Sequence, residues 1–238
     1  MAARERWKVW RSVEVLRPRD PETFSTRNGC GERERQLKRM AVSRSVPGVY
    51  TCGLWRWNEM EPINELLQKR FSPRAFEDRS VSRETMRTLL EAARWAPSSF
   101  NEQPWRFFVA TRDDPADFAK LLECLVPGNQ EWARNAPVLM LSVAKLTFSR
   151  NDRPNRHAYH DVGLAVSQLI VQATALGLRA HQMAGYDVDK ARETYVIPEG
   201  FDPVAAIAIG YSGEEVPSSR TRRPLDEIAF GGRWGEAY

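Results

Sequence analysis

Beyond residue 60 the apolar positions fall into short runs of helical or strand period, whereas the first 59 residues hold neither period for long. Pro62 suits the first turn of a helix, and Ile63, Leu66 and Leu67 give that helix one apolar face. A loop is predicted over residues 71–78. Ser82 is then placed to cap a helix whose Met86, Leu89, Leu90 and Ala93 form one stripe, with Pro97 just past its end. Residues 105–111 are predicted as a strand. Asp114 and Pro115 open a helix carrying Phe118, Leu121, Leu122 and Leu125, and the apolar run at 137–144 is that of a buried strand.

The longest helix is predicted over residues 158–176. Val162, Leu164, Ala165, Val166, Leu169, Ile170, Val171, Ala173 and Leu176 leave it little polar surface, so it is expected to be buried nearly all round, in a core or between subunits. Gly177 suits a left-handed cap at its end. Residues 179–185 then form a strand, Asp187 caps a short helix, and residues 204–211 form a further apolar strand. The order of elements predicts an α+β domain with helices flanking a central mixed β-sheet of four to five strands. A tail from Ser212 carries Pro217, Pro224 and four arginines.

Charge separates the leader from this domain. Residues 1–59 hold 13 Lys and Arg against 7 Asp and Glu, leaving 22 against 24 for residues 60–238. The leader has scattered signs and no dense basic block, so neither a nucleic acid nor a membrane is an expected partner. It is expected to be a disordered basic extension, despite Trp7, Trp10, Trp55 and Trp57. An arm wrapping the body, or a start-site artefact with synthesis beginning at Met60, are open alternatives. No apolar run is long enough to span a bilayer, and the first residues lack the apolar stretch of a secretory signal, which makes the cytoplasm the default compartment.

Cys30, Cys52 and Cys124 are an odd number without C-x-x-C spacing, so neither a disulfide scaffold nor a zinc site is expected. His157 and His160 share a helix face, but with Asp161 they make a poor metal site. No G-x-G-x-x-G run opens a helix, and there is no P-loop; a Rossmann dinucleotide domain is not expected.

Two motifs carry candidate chemistry. Arg70-Phe71-Ser72-Pro73-Arg74 offers two guanidinium forks and a hydroxyl, which suits a phosphate. Pro97-Ser98-Ser99-Phe100-Asn101-Glu102-Gln103-Pro104-Trp105 is a proline-bounded loop of hydroxyl and amide donors, suited to a heteroaromatic ligand or to satisfying its own turn. Together, an Arg-x-Ser-x-Arg run and, about a helix later, Pro-Ser-Ser-x-Asn-x-Gln-Pro-Trp resemble the nitroreductase family of flavin mononucleotide (FMN) proteins. The similarity continues through Asp161-Val162-Gly163, Gln168, the stretches at 181–185 and 208–211, and Arg220 to Leu225, covering about residues 60–230.

The resemblance implies a nitroreductase-like fold that works as a domain-crossing homodimer, with the FMN domain at residues 60–238 and a C-terminal arm. It assigns Arg70, Ser72 and Arg74 to the flavin ribityl and phosphate, and Arg220 and Arg222 to the rest of the phosphate clamp, with Arg223 as a neighbouring alternative. Pro97, Ser98, Ser99 and Asn101 match positions that reach the isoalloxazine ring from the second subunit, while Gln103 supports that loop. Ala184 and Gly185 match the place where a backbone N–H approaches flavin N5, and Gln168 is matched near the phosphate or ribityl. Asn129 and Gln130 are either readers of the pyrimidine edge or a surface turn; His181 and Tyr211 are expected to be structural.

By the same resemblance, NADH or NADPH gives hydride to flavin N5, leaves, and is replaced by a nitroaromatic, quinone or activated alkene acceptor in a ping-pong cycle. No catalytic side chain is implied, since the cofactor carries the reaction. The competing reading is a non-catalytic protein that stores, senses or delivers FMN; a dehalogenating or flavin-degrading enzyme would share the fold.

Overall fold

A computed structural model describes residues 63–238, which lie in the unit Glu61–Tyr238. The leader, with its tryptophans, Cys30, Cys52 and Pro62, lies outside the described residues.

Six helices and four strands follow in the order α1 (Glu65–Lys69), α2 (Arg83–Arg94), β1 (Trp105–Thr111), α3 (Pro115–Cys124), α4 (Pro127–Ala133), β2 (Val138–Lys145), α5 (Ala158–Ala175), β3 (Arg179–Met183), α6 (Val188–Thr194) and β4 (Phe201–Gly210). Local chemistry sets most boundaries. The Ser82 hydroxyl accepts from Thr85 N, and the Asp114 and Asp187 carboxylates accept from Asp117 N and Lys190 N, each satisfying an orphan donor of a first turn. The first helix starts later than its apolar spacing suggests, because Asn64 Oδ1 caps Leu66 N. At the end of α5, Gly177 takes φ +78°; its N–H bonds Thr174 O and that of Leu178 bonds Ala173 O, the paired bonds of a Schellman cap.

The strands form one sheet in the order β1-β2-β4-β3, and every neighbouring pair is antiparallel. The expected mixed sheet is therefore corrected to an antiparallel one. The α5 crossover does bring β3 back in the same direction as β2, but β4 inserts between them and runs against both. The apolar run of β2 gave no warning of this, because a strand covered on both faces looks alike in either kind of sheet.

Alternate residues of the two central strands feed two cores. Val138, Met140, Ile207 and Ile209 join Leu89, Val162 and Leu169 under α2 and α5, while Leu139, Leu141, Val143 and Ala208 join Phe118 and Leu121 under α3. The register shifts at Ser142/Val143, where β4 places Pro203 opposite Val143; a residue without an N–H fits such a bulge, and Ser142 Oγ donates to Ala205 O.

The long helix α5 is buried along one side only. Val162, Ala165, Val166, Leu169, Ile170 and Ala173 are inside, whereas Tyr159, Gly163, Ser167 and Ala175 are exposed and Leu164 and Val171 half-buried in the single chain. Beside this open side stands Trp95, 73% exposed at the end of α2. Among the described residues no helix is long and apolar enough to cross a membrane.

Candidate flavin site

The loop after α1 carries the first arginine group. His181 Nδ1 lies 2.8 Å from Pro73 O, tying the loop to β3, and the His181 ring stacks on Trp132 at 4.6 Å. Glu214 Oε1 accepts from the amides of Arg74 and Ala75 at 3.2 and 2.6 Å, so a carboxylate from the C-terminal segment fixes the loop backbone. Arg70 Nη1 donates to Ser72 Oγ.

Arg220 completes the cluster across 150 positions of sequence. Its Nη1 donates to Arg70 O at 2.6 Å and its Nη2 to Gln68 O, while its buried Nε has no partner among the described residues. Burial, and then the charges of Arg220 and Arg222, push the Arg70 pKa below its ordinary value. No carboxylate pairs with Arg70, Arg74, Arg220 or Arg222 among the described residues; Arg223 instead reaches Glu227 at 3.5 Å, which favours Arg222 over it. Gathered like charge with an unsatisfied buried donor is the local chemistry of an anion site, and the residues fit the phosphate of FMN.

The second motif forms a strained loop between α2 and β1. Phe100, Asn101 and Gln103 have φ of 54°, 55° and 52°, left-handed values that side chains other than glycine adopt at a cost. Internal bonds hold it: Ser98 Oγ accepts from Gln103 N, and Gln103 Nε2 donates to Asn101 Oδ1, which is the support expected of Gln103. Asp161 Oδ2, buried at the start of α5, accepts from Ser99 N at 2.9 Å. Pro97 is exposed at the loop's start.

A buried carboxylate that the motif reading passed over anchors the loop from below. The Glu102 side chain, 7% exposed, accepts from Ser149 N at 2.9 Å, Ser149 Oγ at 2.6 Å and Lys145 Nζ at 3.4 Å. Burial alone would raise the Glu102 pKa; the bonds from Ser149 and Lys145 outweigh it and hold the carboxyl below its ordinary value. A folded pKa below the unfolded one stabilises the loop above about pH 4.3, and that contribution is lost as pH falls through the folded value. Glu102→Ala leaves Lys145 unpaired and the turn unsupported, an expected cost of about 2–3 kcal/mol, or a melting midpoint lower by about 4–12 °C. Thermal scans at pH 7 check this, and an unchanged midpoint removes the anchor.

Gly185 follows β3 and lies against α4. Asn129 Nδ2 donates to Gly185 O at 2.9 Å, and a Cβ at Gly185 would stand 2.7 Å from that nitrogen and 3.0 Å from Val126 Cγ2. A side chain here would have to displace the Asn129 amide that bonds Gly185 O, and Ala184 is exposed beside it. Asn129 and Gln130 belong to a helix rather than to a surface turn, and Gln130 Nε2 is spent on Leu125 O. Gln168 lines a groove of about 490 Å³ between α2 and α5 with Thr88, Trp95 and Val171.

The two motif groups sit at opposite edges of the sheet. The arginine loop is fastened to β3 through His181, whereas the 97–103 loop leads directly into β1. Three strand spacings, about 14 Å, separate those edges.

Other candidate chemistry stays structural. Cys124 is fully buried, its thiol directed at Lys120 O and its pKa pushed up by burial. The His157 and His160 rings are 6.5 Å apart, and His160 Nδ1 bonds Asp161; no group of three metal-ligating side chains occurs among the described residues.

Comparison with known proteins agrees with this geometry. The model of the nitroreductase family matches residues 67–211. A protein of 15.4 kDa from Mycolicibacterium smegmatis, itself uncharacterized, is 36% identical over 147 residues, covering 55% of this chain and 97% of its own length. A solved structure described as an oxidoreductase containing FMN is 38% identical with a TM-score of 0.68, covering 73% of this chain and 93% of that one. The FMN-dependent nitroreductase of Clostridium difficile R20291 is 26% identical with a TM-score of 0.59, covering 71% and 98%. An Archaeoglobus fulgidus relative, provisionally named an NADH dehydrogenase/NAD(P)H nitroreductase, is 28% identical over 160 residues, covering 66% of this chain and 88% of its own length. The chain belongs to the nitroreductase family.

Proposed function

We propose that residues 60–238 of two chains bind FMN between them and move hydride from NADH or NADPH to a nitroaromatic, quinone or activated alkene by ping-pong exchange at one site. The observation that carries the reading is the unneutralised cluster of Arg70, Arg220 and Arg222, with the buried Arg220 Nε unsatisfied. FMN, when bound, supplies the hydride-accepting and hydride-donating centre. The arginines and Ser72 hold the phosphate and ribityl, and Arg74 is kept in register by the Glu214 carboxylate on its backbone. Pro97, Ser98, Ser99 and Asn101 present the rigid loop that flanks the ring, and the backbone at Ala184 and Gly185 offers an amide to its N5 edge. Gln168, on the open side of α5, is assigned to the subunit contact and through it to the ribityl.

The purified protein is expected to be yellow, to release FMN, and to bleach when NADH or NADPH is added without oxygen, with the colour returning on addition of a nitroarene or quinone. Absorbance near the flavin bands follows both steps. Flavin that neither nicotinamide reduces would leave a storage or sensing protein instead.

Two features support a shared site: the half-open apolar side of α5 beside Trp95, and the placement of the two motif groups at opposite sheet edges. Mixing an Arg70→Ala/Arg222→Ala chain with an Asn101→Asp chain, after unfolding and reassociation, is expected to restore part of the flavin binding, since half the sites of each heterodimer then carry neither defect. Heterodimers without recovery would place both groups in one chain's site.

A further inference from the structure

Phe100 combines two costs that folding alone does not explain. Its backbone is left-handed at φ 54°, an outlier for a bulky side chain, and the residue is 71% exposed. Strain kept at a surface by an over-determined surrounding is the pattern from which function can be inferred. Over the ring lies Arg150, its guanidinium carbon 3.9 Å from the centroid, while Phe148 meets the same ring edge-on at 5.7 Å and 85°. Arg150 makes no hydrogen bond or ion pair among the described residues. One face of the guanidinium is covered by an aromatic ring, and its N–H edge has no acceptor.

Both parts of this arrangement stand on fixed backbone. Phe100 belongs to the loop clamped by Ser98, Asp161 and Glu102. Arg150 lies at the tip of a closed turn in which Phe148 N bonds Arg153 O and Asp152 N bonds Phe148 O, below the bridge of Thr147 with Pro154. Glu102 joins the two, since Ser149, which donates to its carboxylate, is flanked by Phe148 and Arg150. The platform sits within two residues of Ser98, Ser99 and Asn101, the loop assigned above to the flavin ring.

We infer that Phe100, Phe148 and Arg150 form a recognition platform for acceptors that are planar, aromatic and carry a carboxylate, the rings receiving the aromatic body and the free guanidinium fork receiving the acid. The inference rests on the oxidoreductase reading and adds to it the charge class of the acceptor. A guanidinium fork matches a carboxylate bidentately, and stacking on a ring holds it in plane. Neutral nitroarenes would use the rings alone.

The test is binding, read without turnover. The oxidised FMN-loaded protein is titrated with 4-nitrobenzoate and with 4-nitrobenzamide, which has nearly the same shape and no charge, following the perturbation of the flavin spectrum. The benzoate is expected to bind about tenfold tighter, and Arg150→Gln to erase that preference while leaving the amide within about twofold. Arg150→Lys, which keeps charge without the fork, should retain part of it, and Phe100→Leu should weaken both ligands about equally. Equal binding of the two ligands to the wild-type protein, or a preference that survives Arg150→Gln, overturns the inference. FMN content and bleaching by NADH or NADPH are measured on the same preparations: protein that takes up no flavin sinks the oxidoreductase reading with this one, whereas flavin-loaded, reducible protein that fails to discriminate sinks the platform alone.

Discussion

A chain carrying Arg70→Ala together with Arg220→Ala will purify folded and colourless. Each guanidinium contributes a charge-assisted contact to the phosphate, worth about 1.5–3 kcal/mol, so losing both raises the FMN dissociation constant by about 10²–10⁴. Relief of the repulsion between Arg70, Arg220 and Arg222 opposes destabilisation of the free protein, since these cations are held together without a carboxylate. Arg220 has a second role: it donates to Gln68 O and Arg70 O, and its loss also frees the backbone that carries Arg70. The single Arg70→Ala variant separates the two effects, because among the described residues that side chain bonds only Ser72. Arg223→Ala serves as the control; its partner is Glu227 on the surface, and its flavin content should match the wild type. Fluorescence titration with FMN, with melting midpoints recorded alongside, measures all four chains. Wild-type affinity in the double variant would remove the clamp from the site.

What the sequence disclosed and what it withheld divide along the range of the interactions. Ser82, Asp114, Asp187 and Gly177 could be read because a cap acts within three or four residues of itself. The helix α4 was missed for a related reason. It opens on Pro127 and Gly128, has no apolar stripe, and is held by the amides of Asn129 and Gln130 bonding to Gly185 O and Leu125 O. Strand order was hidden too, since only the insertion of β4 between β2 and β3 makes the sheet antiparallel throughout.

The site shows the same division. The motifs named the two loops, and the structure brings Arg70 and Arg220 together across 150 positions. The groups that fix those loops had no local signature. Glu102 meets Ser149 at a separation of 47, Asp161 meets Ser99 at 62, and Glu214 meets the Arg74 amide at 140. One weak signal was available for Glu102: a carboxylate between Asn101 and Gln103, in a loop otherwise made of neutral donors, has no partner nearby in sequence. Gln168, matched by the resemblance near the phosphate or ribityl, lines the groove beside Trp95 in the single chain.

Asp202→Ala is expected to be the most destabilising single polar substitution outside the flavin site. Asp202 sits near the start of β4, 8% exposed, and accepts from Tyr159 Oη at 2.7 Å and Arg192 Nη2 at 2.8 Å, so one carboxylate joins α5, α6 and the central sheet. Arg192 is further committed to Phe201 O at 2.9 Å, which leaves it no way to swing out to solvent without breaking a second bond. Burial, followed by the bond to Asp202 and its charge, pushes the Tyr159 pKa well up, and burial with the same carboxylate's charge pushes Tyr186 up to about 12. Both phenols therefore stay protonated donors across the neutral range. Removing one member of a buried pair costs about 3–5 kcal/mol because the other is stranded; with the Arg192 side chain a third exposed, about 2–4 kcal/mol is expected here. For a domain of this size that lowers the melting midpoint by about 4–16 °C. Asp202→Asn keeps an acceptor for Tyr159 but gives up the charge facing Arg192, and should fall between the two. Thermal denaturation of the three chains at pH 7 decides it: an Asp202→Ala midpoint within a degree of the wild type would mean that water replaces the carboxylate at no cost, and that the junction of α5, α6 and β4 is held by its apolar contacts alone.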